Sequence, residues 1–304
     1  MILDFHDINS LIGEKIDKGD PASILRMDNT IGYVLDCFNK KEMPVAQFFN
    51  QLTFIEGGIY PIDGDFYYQR IVPEMYKSMH DSDILGFVDI SGDILRGNFL
   101  NNFDTNKVIF AGNNHNYLVM DPGALLGLSH FGKVDDPWTS HLKDKKVLVI
   151  STHLDSIKHQ WKKIDKVWGN NKNLIAPFKL VDVIHSPYHP NVDNRQYGKF
   201  NDWLECVEHI KGIIDTYDYD ILLAGCSTSA PLYCTHAKSR GKIGIQTGGV
   251  LQLFFGLIGK RWLSEGHYAR WREMFNEHWI FPLLSDHAQQ KNNYNYLETN
   301  QAYW

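Results

Sequence analysis

The 304-residue chain is 43% hydrophobic and 22% charged, a balance that excludes a disordered chain and suffices for a sizeable core. Its longest apolar runs, such as Val250 to Ile258, fall far short of the ~20 residues a membrane-spanning helix needs, and the opening MILDFHDINS carries acids where a secretory leader carries cations, so a cytoplasmic protein of the producing or host cell is expected. Residues 1–140 hold 10 Lys+Arg against 20 Asp+Glu and the remainder 20 against 16; the mildly basic second half suits a phosphate-bearing ligand, a solvated imbalance fits as well, and the dense basic stripe of a nucleic-acid binder is missing.

Taken in chain order, the first half reads as helices over Ile8 to Lys18, Ile31 to Asn39, Val45 to Leu52, Tyr67 to Met79 and Gly92 to Phe103. Between them lie strands at Ser23 to Met27, Ile84 to Asp89 and Lys107 to Ala111. The second half is more regular. Lys146 to Ile150 is a β-branched run, Ser151-Thr-His153 opens a helix over Leu154 to Val167, and Leu180 to Ile184 leads through His185 to a helix over Phe200 to Tyr217. Ile221 to Ala224 then enters Gly225-Cys-Ser-Thr-Ser229, a helix over Ala230 to Ser239 stops at Gly241, and Lys242 to Gln246 forms a further strand.

Strands alternating with helices predict an α/β fold: an open, mainly parallel, Rossmann-like sheet with helices on both faces and a helical N-terminal elaboration. No linker or repeat divides the chain, so residues 1–304 read as one domain, most regular over 145–262, less so over 1–140, with an aromatic tail over 283–304. Cys37, Cys206, Cys226 and Cys234 show no C-x-x-C spacing, which argues against a zinc knuckle or a disulfide framework.

Ligands of an open parallel sheet bind outside the carboxyl ends of its strands. Gly225, Ser227, Thr228 and Ser229 there have the chemistry to hold a phosphate at the start of a helix, although a tight turn with a hydroxyl N-cap has the same letters. The chain lacks G-x-G-x-x-G, the P-loop pattern and G-x-S-x-G, which disfavours dinucleotide oxidoreductases, P-loop NTPases and α/β-hydrolases. His185 is a candidate phosphate donor or base, with a satisfied structural histidine the commoner case, and Pro187 and Pro190 disrupt the helix that would pair it with His189 on zinc. In GGVLQLFFGLIGKRW, residues 248–262, Gly248-Gly249 allows close backbone approach to a ligand. Val250 to Leu257 reads as a buried helix carrying Gln252, and Gly259 returns Lys260 and Arg261 to the surface, where a plain helix-end charge pair is the commoner explanation. Tyr268, Trp271, Phe275 and Trp279 share helical spacing, as core, interface or a sugar-stacking platform would.

The string ILLAGCSTSAPLYCTHAKSRGKIGIQTGGVLQLFFGLIGKRW, with KVLVISTHLDSIKHQW upstream and FNEHWIFP and AYW downstream, resembles bacterial and phage proteins related to GT-D-type glycosyltransferases, the group containing the DUF1792 domain. SILRMDNTIGYVLDCF and GGIYP match its N-terminal motifs more loosely. The resemblance implies a Rossmann-like enzyme that moves a sugar from a nucleotide diphosphate to a surface or virion glycan in polysaccharide biosynthesis, with a D-x-E motif for a divalent metal. Carried over, Asp28 takes the Asp position as catalytic and metal-binding residue, and Thr30 replaces the Glu. The donor would contact Arg26, Asn29, Gly225 to Ser229, Gly248, Gly249, Gln252, Lys260 and Arg261. With Thr30, Mn²⁺ or Mg²⁺ binding is expected to be weak or absent, the two cations offsetting charge instead. A non-catalytic nucleotide- or glycan-binding assembly protein is the alternative, and a homo-oligomer is compatible with either.

Overall fold

The computed structural model describes residues 2–3, 5–27, 37, 40–41, 59, 64–87, 109–111, 136–171, 174–186, 200–263 and 272–286. Its strands are β1 (Ile2–Leu3), β2 (Ala22–Met27), β3 (Ile84–Phe87), β4 (Ile109–Ala111), β5 (Lys146–Ser151), β6 (Lys179–His185), β7 (Ile221–Gly225) and β8 (Ile243–Gln246). They form one sheet in the order β1-β4-β3-β2-β8-β7-β5-β6, with every neighbouring pair parallel. The helices used below are α1 (Phe5–Lys18), α2 (Val72–His80), α3 (Leu154–Trp161), α4 (Ile164–Trp168), α5 (Trp203–Ile214), α6 (Ala230–Ser239), α7 (Leu251–Phe254) and α8 (Lys260–Leu263).

The period-two alternation of a strand divides the core in two. Leu25, Leu85, Leu148, Ile150, Leu222 and Ala224 face one layer, with α2, α5 and α6. Ile24, Ile84, Val147, Val149, Ile221, Leu223, Ile243 and Ile245 face the other, with α1, α3, α4 and α7. A sheet apolar on both faces must be covered on both, which explains the continuous apolar runs of β5 and β7. The arrangement is α/β and Rossmann-like, as the alternating strands and helices predict. Among the described residues no helix is long and apolar enough to cross a membrane.

Several boundaries differ from expectation. The run over Leu154 to Val167 is two helices, α3 and α4, meeting at Lys163, whose φ of −135° leaves the helical region. Both pieces pack on the same layer, so the apolar period carries through the break. The expected helix over Val250 to Leu257 shrinks to the four residues of α7, preceded by a 3₁₀ turn over Gly248–Val250. Gly256, at φ +66°, turns the chain where Gly259 was expected to do so; a Cβ there would stand 2.4 Å from Val167 Cγ1. Phe275 and Trp279 lie in a 3₁₀ and turn region, not one α-helix, yet their rings pack 4.7 Å apart. The short β1 was not foreseen, and Tyr67–Ile71 is a π-helical turn ahead of α2. Helices expected over Ile31 to Asn39 (Cys37 apart), Val45 to Leu52 and Gly92 to Phe103 lie outside the described residues, as does most of the 283–304 tail.

Candidate functional site

The topology defines where a ligand can enter. The chain steps from β2 to β3 to β4 in one direction along the sheet, whereas the segment after β8 crosses in the opposite direction, over the tip of β7 toward β5. Chain leaving two adjacent strands in opposite directions opens a crevice at their carboxyl ends. By that rule the expected binding position is at the tips of β2 and β8. A second reversal separates β5 from β7, since β5 leads outward to β6 and β7 inward to β8. This second position is covered by the chain itself. A Cβ on Gly225 would stand 2.7 Å from Leu251 Cδ2 and 2.8 Å from Gly248 O, so residues 248–251 lie directly on the β7 tip.

At the first of these positions the half-buried Arg26 is central. Its backbone N–H donates to Gln246 Oε1 at 3.0 Å, tying the tips of β2 and β8 together. Its guanidinium lies along Gly248: a Cβ there would come within 2.8 Å of Nη1. Gly248 adopts φ +58°, a left-handed conformation that glycine takes at little cost. Thr247 fixes the base of the loop, with its N–H and its hydroxyl both donating to Ala224 O, at 2.9 and 3.2 Å. Among the described residues no carboxylate forms an ion pair with Arg26.

The tips of β5, β6 and β7 form a buried polar group of a different character. Ser151 stands beside Gly225 and His185 in register. Ser151, Thr152, His153, His185, Ser186, Thr228 and Ser229 are all buried. The Ser229 hydroxyl donates inward to Cys226 O at 2.8 Å. Burial pushes the Cys226 thiol up to about 12, against the opposing effect of hydrogen bonds with Ser229 and Ser186, so it is no nucleophile at neutral pH. Ser227, half-buried at φ +54°, takes the left-handed turn that starts α6, a conformation costing a non-glycine residue about 1–2 kcal/mol.

The structure therefore brings Arg26, Gly225, Gly248 and, through Leu251, Gln252 into one neighbourhood, with Gly249 in the same 3₁₀ turn. His185 is four strand spacings from β2, roughly 19 Å at ~4.8 Å each. Lys260 is exposed at the start of α8 and Arg261 follows it. Asp28, Asn29 and Thr30 lie outside the described residues. Among the described residues no group of three or more His, Cys, Asp or Glu is arranged to hold a metal ion.

The sequence places His153 and Gln246 at strand ends and Trp262 at the close of the glycine-rich stretch, but their partners escaped the sequence reading. Gln246 ties β8 to β2, His153 Nε2 lies 3.2 Å from Gln252 Nε2 on α7, and Trp262 donates to Gln252. The available signal was a lone glutamine in an apolar run and a histidine between a strand and a helix; neither names its partner. No family model, curated protein or solved structure matches the chain.

Proposed function

We propose that the protein is a nucleotide-sugar-dependent glycosyltransferase acting on a surface or virion glycan, with the donor diphosphate at the tips of β2 and β8. The observation carrying this reading is Arg26, a half-buried guanidinium at a strand tip, laid against a left-handed glycine and without a carboxylate partner among the described residues. Such a cation attracts an anion, and the missing side chain at Gly248 lets that anion reach the backbone. The resemblance to GT-D-type proteins supplies the chemical class. The acceptor hydroxyl oxygen bonds to the anomeric carbon as the sugar–diphosphate bond breaks, its electron pair passing to the departing diphosphate oxygen. Arg26 stabilises that developing charge. Asp28, two residues further on, takes the acceptor proton in this scheme, because His185 stands too far along the sheet to share the site.

Thr30, where the related proteins have an acid, favours one other reading: a nucleotide- or glycan-binding protein without transferase activity. A thermal-shift screen with UDP- and GDP-linked sugars, with and without Mn²⁺, tests the donor site, since a ligand bound only by the native state raises Tm. A rise with a donor, followed by hydrolysis or transfer of the sugar, is expected of the enzyme. A rise without turnover points to a nucleotide-binding protein, and no response to any nucleotide contradicts the transferase and leaves the glycan-binding reading.

A further inference from the structure

The segment after β8 is fastened across the sheet by a polar chain inside an apolar layer. Trp262, Gln252 and His153 are 1%, 4% and 4% exposed. The indole Nε1–H donates to Gln252 Oε1 at 3.2 Å, Gln252 Nε2 lies 3.2 Å from His153 Nε2, and His153 Nδ1 lies 3.2 Å from Thr152 Oγ1.

The direction of this chain follows from its first member. An indole N–H only donates, so the amide must turn its oxygen to Trp262 and its NH₂ to the imidazole. Two donors cannot share one hydrogen bond, so His153 Nε2 must be an unprotonated acceptor. The single ring proton then sits on Nδ1, facing the Thr152 hydroxyl. Reversing the amide to accept from a protonated Nε2 would set its NH₂ against the indole N–H, both buried.

We infer that Trp262 dictates, through Gln252, the neutral Nδ1-protonated form of His153, and that this directional latch holds residues 248–262 over the tips of β7 and β5. Gln252 is then a positioning residue: α7 follows directly from the turn carrying Gly248, against which Arg26 lies. The latch stands without the nucleotide reading; its consequence for phosphate binding rests on that reading. His153, occupied at both ring nitrogens, is an anchor and not a base.

Nitrogen-15 NMR of histidine-labelled protein without nucleotide tests this, the His153 signals being assigned by their loss in His153→Gln. Wild-type protein is expected to show a bare Nε2 and a protonated Nδ1 at neutral pH. Trp262→Phe removes the donor that orients the amide without touching the imidazole, and should release His153 into a mixture of tautomers. In Gln252→Glu, a carboxylate accepts from both sides, so His153 Nε2 should become protonated. A protonated Nε2 in the unmodified protein overturns the latch whatever the variants do, as does a His153 spectrum unchanged in folded Trp262→Phe and Gln252→Glu. Because no nucleotide enters these measurements, their failure leaves the proposed donor site to its own titration.

Discussion

Glycines at two positions are required by what touches them. A Cβ on Gly244 would lie 2.4 Å from Cys234 Cα and O, main-chain atoms of α6 that cannot swing aside. Gly244→Ala should therefore force α6 away from β8 and cost about 1–3 kcal/mol or more, read as a lower urea midpoint. Gly248→Ala meets the flexible Arg26 guanidinium and a positive φ. The left-handed backbone should cost about 1–2 kcal/mol, but the distinguishing readout is ligand affinity: nucleotide binding should weaken more than in a control variant matched for stability. That Gly248 stands at a strand tip and permits close approach was legible in the sequence, because the glycine pair follows a β-branched run. That the approaching group is Arg26 was not, since 222 positions separate them and no spacing rule joins them.

Among the elements, the second-half strands were readable to within a residue or two because apolar, β-branched runs between turn residues leave few alternatives. The helix expected over Phe200 to Tyr217 is Trp203–Ile214, and its start is marked by a cap that the apolar spacing did not reveal. Asp202 accepts from the Glu205 N–H at 2.9 Å, and Glu205 returns to Asn201 N at 2.7 Å, closing the first turn of α5. Asp202→Ala should cost about 1 kcal/mol by thermal or urea unfolding. The break between α3 and α4 and the shortness of α7 were not readable, because apolar spacing records which face is buried and not whether the backbone remains helical across it. On the edge strand β6, Asp182 accepts from the Tyr217 hydroxyl at 2.8 Å and pairs with Lys158 at 2.6 Å. Burial alone would raise its pKa, but the bonds from Lys158, Tyr217 and the Val183 N–H together hold it below the ordinary carboxylate range. Its folded pKa being depressed, the stability it contributes is complete above the unfolded value, about pH 4, and is lost as pH falls through the lower folded value. Asp182→Asn should accordingly lower the urea midpoint at pH 7 and flatten its fall between about pH 5 and 3 relative to wild type; parallel acid limbs would contradict that assignment.

The C-terminal segment packs on the layer that holds α1, α3, α4 and α7. Trp279 Nε1–H donates to Val167 O at 2.9 Å, Ile258 N–H to Ile280 O at 2.8 Å, and Leu283 N–H to the Ser156 hydroxyl at 2.8 Å. Asp286, 0% exposed, accepts from the N–H groups of Asp155 and Ser156 and from the Ser156 hydroxyl, at the positive end of α3. Asp286→Ala should leave these buried donors unsatisfied and cost about 2–3 kcal/mol, and residues 279–286 should become accessible to limited proteolysis. The docking expected of the aromatic Tyr303 and Trp304 lies outside the described residues; the buried Asp286 was not foreseen, because an isolated Asp in a polar stretch reads as surface.

The claim that the tips of β2 and β8 take a diphosphate is tested most directly by isothermal titration of UDP and GDP, with uridine and guanosine as controls, into wild-type protein and Arg26→Gln. Wild type is expected to bind one of the diphosphates and neither nucleoside, and Arg26→Gln to bind it about 10- to 100-fold more weakly, the loss of one charge-assisted hydrogen-bonding partner worth roughly 1.5–3 kcal/mol. Equal affinity in wild type and Arg26→Gln, or nucleosides binding as tightly as diphosphates, would contradict it.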